Sequence, residues 1–272
     1  PTLSPALSCL AADPPLERHE FREPHMGTEF RLVLYTPDEP SANAASRAAF
    51  DRIAQLDAML SDYQPDSELM QLCAKSGGPP LPVSEELFFV LSRAIDVAKR
   101  SDGAFDPTVG PLIRLWRHAR RQHKLPDPAR IAEARKLVGY ENVRMNAEDR
   151  TVELLKARMQ LDLGGIAKGY AADEAMAVLK KHSITRALVA ASGDIVVSDP
   201  PPGESGWTIG IAPPEGATKP PRDFLLLRNT AVSTSGDTEQ FVEIDGRRYS
   251  HIVDPKTGIG LTNRLQVTVV AA

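Results

Sequence analysis

Two stretches of this chain carry side chains of the kind that handle phosphate and protons. The first is Leu161-Asp162-Leu163-Gly164-Gly165-Ile166-Ala167-Lys168-Gly169-Tyr170-Ala171-Ala172-Asp173. Paired glycines let a backbone approach a ligand with no Cβ in the way. A helix that starts just after them offers N–H groups and a partial positive charge, which suits an anion. Asp162 and Lys168 flank that turn. The second stretch is Tyr249-Ser250-His251-Ile252-Val253-Asp254-Pro255-Lys256-Thr257-Gly258. Its histidine titrates near neutrality and is suited to moving a proton. Ser192-Gly193-Asp194 and Thr234-Ser235-Gly236-Asp237 add two more turns of the same composition. Each of these, alone, is also an ordinary turn.

The glycines do not follow the dinucleotide pattern G-x-G-x-x-G, and the lysine does not follow a glycine at Walker A spacing. From the first stretch alone, a phosphate cradle and a tight strand-to-helix turn with Lys168 in solvent are equally good readings.

Positioning these groups falls to the elements around them. Met159, Leu161 and Leu163 alternate with polar residues, the period of a half-buried strand. Ala171, Ala175, Val178 and Leu179 recur at helical spacing. So the central stretch reads as strand, glycine-rich turn, helix. Upstream, residues 30–35 alternate as a strand. Phe50, Ile53, Leu56 and Leu60 mark a helix started by Ser41 or Asn43, which runs into a turn-rich loop around Tyr63. Ser84 opens a second helix with Glu85 and Glu86 in its first turn. Its expected buried face is Leu87, Val90, Leu91, Ala94 and Val97, and it stops at Asp102-Gly103. Residues 104–112 hold two prolines and a glycine and read as an ordered loop. Asp127-Pro128 opens a short helix that Gly139 closes.

Residues 142–145 and 151–155 read as a hairpin. The stretch 186–190 is largely apolar and turns into 195–197, and further strands are expected at 207–212, 224–227, 231–233 and 241–244. Asp245-Gly246 is a hairpin turn. Residues 265–270 look like a core strand. The alternation of strands and helices is too irregular for a doubly wound sheet. The fold class is therefore α+β: one compact domain, with a mixed, largely antiparallel sheet and helices packed on it, over residues 19–272. Residues 1–18 read as a tail or linker.

The 272 residues are 42% hydrophobic and 25% charged, with a net charge of −4. An acidic balance argues against a general nucleic-acid binder, so no nucleic acid is expected as a partner. No apolar run approaches the ~18 residues of a membrane span. Two cysteines, Cys9 and Cys73, give neither a disulfide framework nor a metal cluster. Cys73 reads as a small core filler on a helix. Cys9, in Ala6-Leu7-Ser8-Cys9, has the local look of a lipoprotein attachment site, but no basic segment or apolar core precedes it in these residues.

Taken together, six segments resemble the ApbE family of FAD:protein FMN transferases. They are Met26-Gly27-Thr28, the Tyr63 loop with Ser67-Glu68-Leu69, residues 105–112, the 162–173 block, Thr234-Ser235-Gly236-Asp237, and residues 250–258. They occur in the family's order over roughly residues 24–264. The resemblance implies transfer of the FMN half of FAD to a Ser or Thr hydroxyl of a target protein, with Mg²⁺ required and AMP released. The target is typically a flavoprotein subunit of a membrane redox complex. Some members instead hydrolyse FAD to FMN and AMP, and a member without its metal would be a flavin-binding protein.

It implies His251 as the catalytic base. Met26, Tyr63, Ala104, Phe105, Asp106, Asp162, Lys168, Thr234 and Ile252 are the implied FAD contacts, and the Gly165 carbonyl a metal ligand. The remaining implied metal ligands come from a later Asp-Ala…Thr segment that these residues do not include, so the native chain is expected to continue past Ala272. An exported enzyme, periplasmic or attached to the cell membrane through an N-terminal lipid anchor, is the expected setting.

Overall fold

The computed structural model describes residues 15–211, 213, 221, 223–237 and 240–271. The expected tail, with Cys9, falls largely outside the described residues. The first described element is the strand β1 (Glu17–His25), which pairs with β2 (Thr28–Thr36) from Glu17↔Thr36 to His25↔Thr28. The two residues between them, Met26 and Gly27, both have positive φ, 50° and 73°. That is the geometry of a two-residue hairpin turn whose twist matches the strands. β1 lies where the sequence shows no clear alternation, because one of its faces is a ladder of charged side chains.

Helix α1 (Glu39–Leu60) follows. Its cap is Asp38, whose side chain accepts from the Ser41 N–H at 2.7 Å. The expected Ser41 or Asn43 start is therefore corrected: Pro40 suits the first turn, and Asp38 fixes the entry. The short α2 (Glu68–Ala74) is capped by Ser67 and carries buried Cys73. After the two-residue β3 (Leu81–Pro82) comes α3 (Glu85–Arg100), capped by Ser84 as expected. Its buried face is Leu87, Val90, Leu91, Ala94, Ile95 and Ala98. Val97 is instead 40% exposed, because the stripe drifts round the helix toward Ala98.

The irregular segment after α3 is shorter than expected. Helix α4 (Gly110–Gln122) starts at Gly110-Pro111 and buries Leu112, Trp116 and Ala119. Proline at the start of a helix removes no intrahelical bond. α5 (Pro128–Arg135) is capped by Asp127. The hairpin β4 (Val143–Asn146) and β5 (Thr151–Leu154) joins β3 in a small sheet.

Residues 158–163 are not a strand. Met159, Leu161 and Leu163 are buried, as their alternation demands, yet the segment joins no sheet. It lies extended against the 104–110 loop: the Asp162 N–H donates to the Pro107 carbonyl at 2.8 Å. A Cβ on Gly110 would stand 2.6 Å from the Gln160 carbonyl oxygen. The period reports burial of alternate side chains, and here loop packing buries them instead of a ladder.

α6 (Ala167–Lys181) packs on α1 through small residues, Ala171, Ala172 and Ala175 against Ala42, Ala45 and Ala49. Arg52 of α1 reaches Glu174 of α6 at 2.7 Å and Glu86 of α3 at 3.2 Å, tying the three helices together. The chain then builds β6 (Ala187–Ala191), β7 (Asp194–Val197), β8 (Trp207–Ile211), β9 (Asp223–Leu227), β10 (Thr230–Ser235), β11 (Phe241–Ile244), β12 (Arg247–Ser250) and β13 (Val267–Ala271).

The main sheet has the order β1-β2-β6-β7-β10-β13, and β8–β9 and β11–β12 form separate ribbons. All strand pairings among the described residues are antiparallel. The architecture is α+β, as expected. Among the described residues β13 is the last strand of the main sheet, with Val267, Val269 and Val270 about half exposed there. The largest core cluster lies between the main sheet and helices α1, α3 and α6.

Candidate active site

A cavity of about 1100 Å³ opens where the β1–β2 turn, the Tyr63 loop, the 104–109 loop, the start of α6 and the His251 loop converge. That is at the upper end of the range for small-molecule sites, room for a ligand of dinucleotide size. Every residue expected to contact flavin, base or metal lines it: Met26, Tyr63, Ala104, Phe105, Asp106, Asp162, Gly165, Lys168, Thr234, His251 and Ile252.

His251 directly follows β12. Its backbone N–H and its Nδ1 both lie on the Gln240 carbonyl, at 3.1 and 2.9 Å. A carbonyl oxygen only accepts, so Nδ1 carries the proton and Nε2 keeps its lone pair. Burial pushes the imidazole pKa down. The Gln240 bond opposes that shift, while the charges of Arg120 and Lys168 add to it. The group is thus held neutral with a free basic nitrogen.

On the opposite wall, Arg117 binds two carboxylates. Its guanidinium donates to Asp62 at 2.5 and 3.2 Å and to Asp162 at 3.1 Å. It also lies 4.0 Å over the Tyr63 ring, in cation–π range. Tyr63 stays 60% exposed, so much of the ring remains open to the cavity. The second Asp162 oxygen accepts from the Gly164 N–H at 2.8 Å. Burial, then the nearby Asp62 charge, push the Asp162 pKa up against the pull of Arg117.

The glycine-rich turn is built for close packing. A Cβ on Gly165 would meet the Phe105 ring at 3.0 Å, so the turn lies directly on that aromatic. The first turn of α6 offers fewer free donors than the sequence suggests. The N–H groups of Ile166 and Ala167 both donate to the Leu163 carbonyl, at 2.9 and 2.8 Å. The cation at its mouth is Lys168, whose Nζ lies 2.5 Å from the Gly164 carbonyl and 3.6 Å from Asp194. Asp194 also accepts from Ser233 at 2.6 Å.

Asp106 lines the cavity but spends its carboxylate internally, accepting from the Thr108 N–H and hydroxyl and from the Tyr140 N–H at 2.6–3.0 Å. It shapes the loop that presents Ala104 and Phe105. Met26 donates its N–H to Asp57 at 3.0 Å, which holds the hairpin turn beside Tyr63. Thr234 pairs hydroxyls with Thr268 at 3.0 Å, and Ile252 is anchored through its N–H to Ser250. Asp254 accepts from Lys256 and Thr257, shaping the turn after His251.

Five arginine or lysine side chains and five carboxylates line the cavity. Sequence reasoning missed Arg117 and Arg120, because both sit on the unrecognised α4. Leu112, Trp116 and Ala119 do recur at helical spacing there, and that was the available signal. Among the described residues, no three His, Cys, Asp or Glu side chains come together as a metal cage. Asp62 and Asp162 are engaged by Arg117. Mg²⁺ is commonly held by one or two protein oxygens together with substrate phosphates, and Gly165, whose carbonyl is the expected protein oxygen, lines the cavity.

A fold of this kind, with a neutral histidine facing lysine and carboxylates across a dinucleotide-sized cleft, defines a protein suited to phosphate-group chemistry on a large ligand. A family model, the ApbE family, matches residues 26–272. The chain belongs to the ApbE family. It is 36% identical to the FAD:protein FMN transferase of Treponema pallidum over 248 residues, 86% of this chain and 68% of that one. It is 33% identical to the FAD:protein FMN transferase of Klebsiella pneumoniae, over 90% of this chain and 75% of that one. The crystal structure of the ApbE protein from Thermotoga maritima matches with a TM-score of 0.85 at 32% identity, covering 94% of this chain and 82% of that one. The apo flavinyl transferase ApbE from Pseudomonas stutzeri matches at 0.81 and 30%, over 96% and 81%.

Proposed function

We propose that this enzyme is an FAD:protein FMN transferase that moves FMN from FAD to a Ser or Thr hydroxyl of an acceptor flavoprotein and releases AMP. The observation that carries the reading is the state of His251. Its Nδ1–H is committed to the Gln240 carbonyl, and its lone pair is left on Nε2 at the edge of a cavity large enough for FAD. In the proposed step the acceptor hydroxyl oxygen bonds to the FMN phosphorus. The bond from that phosphorus to the bridging oxygen breaks, and AMP departs with that oxygen. The hydroxyl proton passes to Nε2. Lys168 faces the charge that grows on the phosphate oxygens. Tyr63 and Phe105 supply aromatic surface for the ring systems.

Mg²⁺ dependence is part of the proposal on the strength of the family resemblance, and the ion would neutralise pyrophosphate charge. The steps above use only this chain's residues. An exported setting, a lipid anchor and an acceptor within a redox complex are proposed on the same footing. The second reading, FAD hydrolysis to FMN and AMP, uses the same base with water as the nucleophile.

The test is the intact mass of a candidate acceptor domain incubated with enzyme, FAD and Mg²⁺, with AMP followed in parallel and a chelator control. Gain of one FMN per acceptor, matched by AMP and lost with chelator, supports transfer. AMP and free FMN with no adduct favours hydrolysis. Bound FAD with no AMP across several acceptors overturns both.

A further inference from the structure

Helix α4 puts Arg117 and Arg120 on the cavity and ties Trp116 to the loop after His251. Trp116 donates its indole N–H to the Gly258 carbonyl at 2.9 Å, which fixes the far side of the His251 loop. Arg117 holds Asp62 and Asp162. Arg120, one turn on from Trp116 and in the last turn of the helix, donates to the Gln240 side-chain oxygen at 3.1 Å. Gln240 is the residue whose backbone carbonyl accepts both His251 bonds. So one residue is gripped at its side chain by α4 and grips the imidazole with its backbone.

We propose that Arg120 is a positioning residue for His251: through Gln240 it holds the carbonyl that fixes the Nδ1–H tautomer and aims Nε2 into the cavity. The proposal rests on the transferase reading for the meaning of that nitrogen, but not for the geometry. The charged groups facing the imidazole are Arg120 from α4, Lys168 from α6 and Asp237 after β10. Asp237 is itself paired with Arg248 at 2.8 Å. Arg120 therefore acts in two separable ways, as a clamp on Gln240 and as a positive charge that favours the neutral imidazole.

Two variants separate them. Arg120→Met removes clamp and charge and keeps the aliphatic stem. Gln240→Ala removes the clamp, keeps the charge and leaves the carbonyl in place. Histidine-selective ¹⁵N NMR of the ligand-free protein reads tautomer and titration without any turnover. AMP release against pH reads the consequence.

With Arg120→Met the expected results are loss of the single Nδ1–H tautomer, a His251 titration at higher pH, and a kcat lower by about 10- to 100-fold, the usual range for a partner that orients a functional group. The KM for FAD stays near that of the wild type. Arg120→Lys restores part of the loss. Gln240→Ala loosens the tautomer and lowers kcat while the titration stays low. An unchanged tautomer in both variants overturns the proposal. So does a raised KM with unchanged kcat, which makes Arg120 a substrate contact. Should the wild type release no AMP at all, the transferase reading fails while the NMR arm still decides the clamp.

Discussion

In the proposed transfer His251 acts as a neutral base, and its surroundings set the pH at which it can. Burial is the leading influence and lowers its pKa, with Arg120 and Lys168 acting in the same sense. A base must be unprotonated to act, so a lowered pKa extends activity toward acid. The rate of AMP release is expected to hold steady as pH falls and to drop only below the ordinary histidine range near ~6.5. A limb at or above that range would mean that the imidazole is solvated in the working enzyme. The sequence shows the histidine, and the family resemblance implies the role proposed for it. It does not show Gln240, whose backbone oxygen is the partner that matters: a backbone acceptor has no residue type to recognise. Asp106 makes the converse point. Its place in Phe105-Asp106-Pro107-Thr108 suits either a ligand contact or a turn, and the structure commits its carboxylate to Thr108 and Tyr140.

Helix α4 shows how an element organises the site. Arg117 is partly buried between two carboxylates and under Tyr63. Arg117→Met would strip Asp62 and Asp162 of their shared cation inside a poorly solvated wall. Breaking such a pair costs ~3–5 kcal/mol when the remaining charge stays buried. A drop of that size in unfolding free energy is expected from denaturant titration, with part of it recovered by adding Asp162→Asn, which removes the stranded charge. A loss under ~1 kcal/mol, the range of exposed pairs, would show the cluster to be solvated.

The legibility of the elements follows the same physics. α3, capped by Ser84, and α6 are plain in the sequence because their apolar residues recur at helical spacing and face one core. α4 is hidden by Gly110-Pro111, which reads as loop although it is a good helix start. The 158–163 segment has a strand's alternation and no strand, since alternation reports which side chains are buried and not which backbone they pair with.

At the scale of the molecule, the cavity lies where segments distant in the chain converge, from Met26 to Ile252, and its walls belong to different layers of the fold. Only long-range pairing brings them together: β2 lies beside β6, and β7 beside β10. The α+β class was legible from the sequence. This strand order was not, because nothing local specifies which strand a given strand will pair with. A ligand that touches all these walls links them, so FAD should stabilise the whole fold by mass action. At a hundredfold excess over its Kd the gain is about 2.7 kcal/mol. Thermal unfolding with and without FAD measures it, and the expected result is a midpoint that rises steadily with FAD concentration. AMP alone or FMN alone, filling half the site each, should give smaller shifts.

The proposed transfer requires His251 for the chemistry and not for holding FAD. The most direct test compares wild type and His251→Ala for two quantities measured on the same preparation, FAD affinity by fluorescence quenching and AMP release with a saturating acceptor. The expected result is affinities within a few fold of each other and AMP release lower by about 10²–10⁴-fold, the span for loss of a general base. Equal AMP release by the variant, or a loss of FAD affinity large enough to explain the fall in rate, would contradict it.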